Sequence, residues 1–251
     1  MHFPRLYAIL DAAFFPHADA IFAAAEELAS AGGCTLIQYR NKSGNARVML
    51  EQARELRRRF PSQSQDSHFS QNRGEVGHPT SEKIESQNPH PVSAQNAETG
   101  VGQPSVRLIM NDRADLCLAA DFDGVHVGQE DLSPESVRKI IGFESGGRER
   151  WLGVSTHNPE QLRDADLTSA DYLAIGPVFP TASKEKPDPV VGLEGVRRAR
   201  ELTHKPLVAI GGITRANAVS VIAAGADSVA VISDLLREPR KSAEEFLRIL
   251  R

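Results

Sequence analysis

Charged and amide side chains gather where short apolar runs end, and one such stretch is Gln38-Tyr39-Arg40-Asn41-Lys42. Alternate residues of an extended chain share a side, so Gln38, Arg40 and Lys42 lie together, apart from Tyr39 and Asn41. A forked guanidinium, an ammonium and an amide on one face suit a polyanion, above all a diphosphate. The alternative is a solvated strand end whose charges have no joint role.

Two aspartates follow the next apolar runs, in Asn111-Asp112-Arg113 and in the stretch from His126 to Asp131. Asp112 and Asp131 could share a hard cation such as Mg²⁺, which takes few carboxylates and keeps water and phosphate oxygens as further ligands. Asp112 could instead be the N-cap of the following helix. His126 lies within an apolar run, and we interpret it as a hydrogen-bonded histidine of the protein interior.

Hydroxyl groups and glycines at the later run ends favour phosphate binding. Ser155 could donate a hydrogen bond to a phosphate, and the long stretch 176–187 could close over a ligand or be merely an exposed loop. The pair Gly211-Gly212 lets backbone N–H groups approach an anion closely, and Ile232-Ser233 ends the run that follows.

Apolar runs of strand type alternate with segments of helical period along the chain. Eight such pairs predict a (β/α)₈ TIM barrel, an α/β fold in which the active site lies where the strands end. An open doubly wound sheet is less suitable, because the first turn lacks glycine. The predicted strands are Leu6–Leu10, Thr35–Tyr39, Val106–Met110, Gly124–Val127, Trp151–Val154, Tyr172–Ile175, Pro206–Ile210 and Ser228–Ile232. The predicted helices are Ala18–Ala31, Ala46–Phe60, Arg113–Ala120, Pro134–Ile141, Pro159–Ala165, Leu193–Leu202, Arg215–Ala224 and Ser242–Leu250.

Residues 61–105 differ in composition from the rest of the chain. Of these 45 residues, 26 are Gln, Ser, Asn, Gly or Pro, so the segment offers little apolar surface to offset its ordering entropy. We interpret it as a disordered insertion within a single domain that spans residues 1–251. Its place between the second helix and the third strand puts it on the rim opposite the active site, where we expect it to leave catalysis untouched.

The general properties of the chain exclude several classes of protein. The net charge of −4 argues against a nucleic-acid binder, and no apolar run approaches the roughly 18 residues that a membrane helix needs. The first residues lack the cationic segment of a secretory signal. Cys34 and Cys117 have apolar neighbours and no paired spacing, so we expect two buried thiols and a cytoplasmic location.

Five of these motifs, in matching order, resemble the thiamine phosphate synthase family, and the resemblance covers the chain outside the insertion. The motifs are Gln38 to Lys42, Asn111 to Arg113, Gly124 to Asp131 (GVHVGQED), Gly176 to Lys184 (GPVFPTASK) and Ala209 to Ile213 (AIGGI). Such enzymes join 4-amino-5-hydroxymethyl-2-methylpyrimidine diphosphate to 4-methyl-5-(2-phosphoethyl)thiazole, forming thiamine phosphate and diphosphate. The resemblance therefore implies two small-molecule substrates and Mg²⁺; it leaves the oligomeric state open.

The resemblance also implies a role for individual residues. It assigns Asp112 and Asp131 to Mg²⁺, and it assigns Arg40, Lys42 and Lys184 to the stabilisation of the departing diphosphate in a dissociative mechanism. The implied site for the pyrimidine diphosphate comprises Gln38, Tyr39, Arg40, Asn41, Lys42, Asn111, Ser155 and Lys184. The implied site for the thiazole phosphate comprises Thr181, Ala182, Ser183, Gly212, Ile232 and Ser233. Ser183 stands where the family usually has Thr.

Two other functions fit the same barrel. A thiazole tautomerase would keep the thiazole phosphate site without needing the cations and aspartates of the diphosphate site. A non-catalytic phosphate-binding barrel would need only the Gly211-Gly212 site. The presence of Arg40, Lys42 and the two aspartates favours the synthase.

Overall fold

Eight parallel strands close into a barrel in the computed structural model, which describes residues 3–62, 105–142, 149–181 and 188–251. Each strand pairs with the next, and β8 returns to pair with β1. This closure confirms the predicted TIM barrel. The strands are β1 Leu6–Asp11, β2 Leu36–Arg40, β3 Arg107–Asn111, β4 Gly124–Val127, β5 Trp151–Thr156, β6 Tyr172–Ile175, β7 Leu207–Ile210 and β8 Ser228–Val231.

Helices follow the strands and cover the outside of the barrel. Asn45, Ser133 and Asn158 cap the second, fourth and fifth helices, each accepting a backbone N–H with its side-chain oxygen. The helices are α1 Ala18–Ser30, α2 Ala46–Arg59, α3 Ala114–Ala119, α4 Pro134–Ile141, α5 Pro159–Asp166, α6 Gly192–Leu202, α7 Ala218–Ala223, α8 Ser233–Leu236 and α9 Pro239–Ile249. The sequence did not predict α8, which is a single turn.

Alternation along the strands separates two apolar clusters. One cluster lies between the strands and the surrounding helices and includes both buried cysteines, as expected. The other fills the barrel interior with Phe3, Tyr7, Trp151, Tyr172 and smaller residues. Phe3 stacks on Trp151 at a centroid distance of 5.3 Å, closing the end of the interior at which the strands begin. The other end, where the strands finish, is left for polar groups.

A repeated ion pair fastens the rim at which the strands begin. Asp123, Asp171 and Asp227 immediately precede β4, β6 and β8, and each accepts the backbone N–H of a leucine in the preceding strand at 2.6, 2.6 and 2.8 Å. Each also pairs with an arginine from α2, α4 or α6. The partners are Arg57 at 2.5 Å, Arg138 at 2.7 Å and Arg200 at 2.7 Å. In each of three successive quarters of the barrel, one aspartate thus connects two neighbouring strands to a helix.

The predicted insertion falls almost wholly outside the described residues. Helix α2 ends at Arg59 and β3 begins at Arg107, so the chain leaves and returns on the rim opposite the strand ends. Residues 63–104 lie outside the described ranges, and their predicted disorder stays a prediction. None of the helices in the described ranges offers an apolar stretch of the length that a membrane span requires.

Candidate active site

The two cations at the end of β2 turn towards different neighbouring strands. The Arg40 guanidinium contacts the carboxylate of Asp11, which ends β1 and pairs in register with Arg40. The Lys42 ammonium contacts the carboxylate of Asp112, just beyond β3. Gln38 lies deeper in the barrel, where its amide Nε2 donates to the Tyr7 hydroxyl at 2.9 Å. Gln38 and Arg40 lie on the interior side of β2, as alternation predicts, whereas Lys42 lies beyond the end of the strand and is exposed. Each of the three side chains has its own partner.

Tyr39 and Asn41 lie on the other side of β2. Both contact Gln52 of α2, and the Asn41 amide also donates to the Tyr39 hydroxyl at 3.0 Å. Burial raises the pKa of Tyr39 to about 12. The structure does not bring these two side chains together with the other predicted site residues, and their part in substrate binding stays a prediction.

Asp112 and Asp131 meet at the ends of β3 and β4. The pKa of Asp131 is raised, first by partial burial and then by the neighbouring charge of Asp112, while the Gly128 N–H and the Lys42 charge oppose this rise. The Gly128 N–H donates to the Asp131 carboxylate at 2.7 Å. Two adjacent carboxylates that already attract an ammonium form a place where a divalent cation would be stabilised.

The backbone at Asp112 adopts a rare conformation. Its φ is +63°, in the left-handed region, which costs a non-glycine residue energy. Its N–H donates to the carbonyl of His126 at 2.8 Å, so the strained residue is fixed to β4. Asp112 is not the N-cap of α3, because the cap position is Arg113. Asn111, half-buried at the end of β3, lies opposite His126 in register.

Five polar side chains from five strands form a hydrogen-bonded row across the barrel, which we name the interior chain. It runs Gln38, Tyr7, Tyr172, His126 and Ser155, with successive donor–acceptor distances of 2.9, 2.8, 3.1 and 2.8 Å. Burial lowers the pKa of His126 to about 4, so its imidazole is neutral at pH 7. This confirms His126 as a hydrogen-bonded interior histidine and joins Ser155 to Gln38.

Gly153 makes room for the middle of the interior chain. It precedes Ser155 by two residues on β5, and a Cβ at this position would overlap both the Tyr172 ring and the His126 imidazole. The imidazole and the ring lie at a centroid distance of 5.5 Å. A side chain at position 153 would therefore push Tyr172 and His126 apart and interrupt the interior chain between them.

The predicted thiazole phosphate site is only partly described. Gly211 and Gly212 have positive φ and pack closely against the segment after β6, where Cβ atoms would lie 2.5 Å from Pro177 Cβ and from Pro180 O, respectively. The turn after β7 thus adjoins the start of the loop that carries Thr181. Ile232 and Ser233 begin α8 beside them. Ala182, Ser183 and Lys184 lie outside the described residues, so their predicted roles stay predictions.

Three residues of this rim and interior escaped the sequence prediction. Asp11 ends β1 and holds Arg40, and the rule that active sites lie at strand ends could have found it. Tyr7 and Tyr172 are buried at the starts of β1 and β6, where a tyrosine ordinarily predicts only core packing. No feature of the sequence indicates that their hydroxyl groups meet at 2.8 Å.

Comparison with known proteins gives one consistent answer. The family model described as thiamine monophosphate synthase matches residues 88–235. A thiamine-phosphate synthase of Koribacter versatilis (strain Ellin345) is 51% identical over 98% of this chain and 96% of its own length. The chain belongs to the thiamine-phosphate synthase family. A second member, from Chloroflexus aurantiacus, is 36% identical over 91% of this chain and 83% of its own length. The chain is therefore a transferase of thiamine biosynthesis.

Solved structures agree with this membership. A thiamine phosphate pyrophosphorylase from Pyrococcus furiosus superposes with a TM-score of 0.67 at 30% identity and covers 98% of this chain, with 95% of its own length matched. A 3-hexulose-6-phosphate synthase superposes with a TM-score of 0.61 at 13% identity, covering 98% of this chain and 100% of its own. The second likeness concerns the fold alone.

Proposed function

We propose that the chain couples 4-amino-5-hydroxymethyl-2-methylpyrimidine diphosphate to 4-methyl-5-(2-phosphoethyl)thiazole, giving thiamine phosphate and diphosphate. The bond between the pyrimidine methylene carbon and the diphosphate oxygen breaks, and its electron pair leaves with the diphosphate. The thiazole nitrogen then forms the new bond with the methylene carbon. This order is dissociative, so the protein must mainly hold two substrates and stabilise the charge of the leaving group.

The observation that carries this proposal is the group of charges at the ends of β1 to β4. Arg40 and Lys42 supply two cations within reach of the carboxylates of Asp11, Asp112 and Asp131. A leaving diphosphate requires cations to stabilise its charge. An isomerase that acts on a thiazole phosphate alone has no use for a second anion-binding site. The charge group thus favours a synthase over the two other barrel functions.

The carboxylates of Asp112 and Asp131 fit Mg²⁺ as its protein ligands. No cluster of three or more His, Cys, Asp or Glu side chains occurs among the described residues, and a pair suits an ion that binds largely through phosphate oxygens and water. When bound there, Mg²⁺ would supply positive charge to the diphosphate oxygens. Burial and, after it, the neighbouring charge of Asp112 raise the pKa of Asp131, and this supports the assignment because a bound cation would offset both effects.

The remaining roles on the pyrimidine side follow from position. Arg40 can offer a planar fork to the diphosphate, and Lys42 a point charge that now rests on Asp112. Lys184 is the third cation of the proposal. Asn111 and Ser155 end β3 and β5, where their polar side chains would contact the same substrate, and Gln38 lies below them. Tyr39 and Asn41 would act on this site only from the α2 side.

The thiazole phosphate is proposed to bind at the loops after β6, β7 and β8. Gly212 and Ser233 would present backbone N–H groups to the phosphate, a use of these loops common to many barrels. Thr181 and Ser183 would add hydroxyl groups, and Ala182 and Ile232 would line the same site. The close packing of Gly211 and Gly212 against Pro177 and Pro180 fixes the β7 turn beside that loop.

The test is a direct assay with purified protein, both substrates and Mg²⁺, monitoring diphosphate release and thiamine phosphate formation. We expect both products to appear together and to require both substrates. Omitting the thiazole phosphate gives the matched blank. Binding of the thiazole phosphate without release of diphosphate would contradict the proposal and favour one of the other two barrel functions.

A further inference from the structure

We propose that Tyr172 and His126 are positioning residues for Ser155, because the interior chain passes its hydrogen bonds in one direction from the Gln38 amide to the Ser155 hydroxyl. The interior chain joins five strands, and none of its three inner members lies at the carboxyl end of a strand. Its function would be to aim the Ser155 hydroxyl hydrogen at the diphosphate. This last step rests on the proposed function, whereas the direction of the hydrogen bonds in the interior chain does not.

The direction is set at the Gln38 end. An amide nitrogen only donates, so the Tyr7 hydroxyl accepts from Gln38 Nε2 at 2.9 Å. Tyr7 is 1% exposed, and its own hydrogen needs an acceptor. Among the described residues that acceptor is the Tyr172 hydroxyl, 2.8 Å away. The opposite direction would leave the buried Tyr7 hydrogen without a partner.

The same reasoning fixes the tautomer of His126. Tyr172 accepts from Tyr7 and passes its own hydrogen to His126 Nδ1 at 3.1 Å. A ring nitrogen that accepts a hydrogen bond carries no hydrogen, so the N–H of the imidazole is on Nε2. That N–H donates to Ser155 Oγ at 2.8 Å.

The hydroxyl hydrogen of Ser155 is thereby left without a partner among the residues that the structure describes. Its Oγ accepts from His126, and its backbone oxygen accepts from Gln129 Nε2 at 2.7 Å. The interior chain uses the Ser155 Oγ as an acceptor and leaves its hydrogen unused. At the half-buried end of β5 it is available to an anionic oxygen.

Nitrogen-15 NMR of histidine side chains tests the direction in the ligand-free protein. The eight histidines can be distinguished by comparison with the spectrum of His126→Gln. We expect His126 to show a protonated Nε2 and an unprotonated Nδ1 at neutral pH. The opposite tautomer would overturn the proposal, whatever the enzyme catalyses.

Two matched variants separate positioning from packing. Tyr172→Phe and Tyr7→Phe each remove one buried hydroxyl with two hydrogen bonds and keep the ring. Only Tyr172→Phe removes the donor to His126 Nδ1, so we expect both tautomers in that variant and the Nε2–H tautomer alone in Tyr7→Phe. Equal spectra for the two variants would overturn the proposal.

Kinetics then test the effect on Ser155. We expect kcat of Tyr172→Phe to be about tenfold below that of Tyr7→Phe, which corresponds to one misdirected hydrogen bond. The ratio between the two variants should fall to about one when both carry Ser155→Ala. A ratio that persists without Ser155 would overturn the positioning role. If the wild-type protein forms no thiamine phosphate, the proposed function fails, and the spectra alone decide the direction.

Discussion

The burial of His126 predicts that acid destabilises the protein through this residue. Burial lowers its pKa from 6.5 to about 4, so the unfolded chain takes up a proton at a higher pH than the folded chain does. Between these values the unfolded state binds more protons, and stability rises with pH. The contribution of His126 is complete above pH 6.5, is lost as the pH falls towards 4, and changes little below that.

The size of the effect follows from the two pKa values. A change from 6.5 to about 4 corresponds to about 3 kcal/mol between pH 7 and pH 4. That is a large part of the 5–15 kcal/mol by which a typical domain is stable. Asp131 has the opposite effect on stability. Because its pKa is raised, the folded state takes up a proton at a higher pH than the unfolded state does, so acidification stabilises the folded state through this residue.

Because several groups titrate in this range, the measurement must be a difference. Urea unfolding in the presence of a chelator, at pH 7 to 4, gives the free energy of unfolding of the wild type and of His126→Gln. We expect the difference between them to shrink by about 3 kcal/mol on acidification. His204→Gln, at an exposed position after α6, is the matched control and should follow the wild type.

A difference that stays constant within about 0.5 kcal/mol over this range would refute the reasoning. It would mean that the imidazole of His126 is protonated at the same pH in the folded and unfolded states. A neutral ring with a fixed tautomer would then be ruled out at pH 5 to 6, and the interior chain could not have one direction there.

Further predictions concern charges at the two rims and the chain between α2 and β3. Arg40→Lys should lower kcat/KM about tenfold or more, because an ammonium cannot reproduce a two-pronged contact; wild-type kinetics would make Arg40 a bystander. Asp131→Asn should raise the melting temperature of the metal-free protein yet weaken the Mg²⁺ dependence of turnover, and an unchanged dependence would contradict the metal assignment. Asp171→Asn should cost about 3 kcal/mol in urea unfolding, since it removes the carboxylate that pairs with the buried Arg138 guanidinium at 2.7 Å. Replacing residues 63–104 by a short Gly/Ser linker should leave activity near wild type, whereas lost turnover in a folded barrel would place the segment near the site.

Local sequence patterns were sufficient to predict the strands. All eight lie within two residues of their predicted bounds, because each is a short apolar run with a polar or glycine boundary. The missing element, α8, has four residues, too few for a helical period to be visible. The sequence predicts that α7 begins at Arg215, whereas it begins at Ala218, because the preceding residues form turns in which the Asn217 side chain accepts the Thr214 N–H.

The candidate site was harder to predict, because contacts between strands decide it. Alternation placed Gln38, Arg40 and Lys42 on one side, but it could not show that Arg40 turns to β1 and Lys42 to β3. The side chains of the interior chain lie in layers of the barrel, and the layers depend on how far each strand is displaced relative to its neighbours. A single sequence contains no direct record of that displacement.

The two rims of the barrel differ in how their aspartates affect the stability of the fold. Where the strands begin, Asp123, Asp171 and Asp227 pair with arginines and accept backbone N–H groups, so their charges stabilise the fold. Where the strands end, Asp112 has a strained backbone and Asp131 a raised pKa. The unfavourable features thus lie at one rim, and the stabilising ion pairs lie at the other. Such features are typical of a binding site, because a bound ligand can offset their energetic cost. The same sequence therefore places stability and function at opposite ends of each strand.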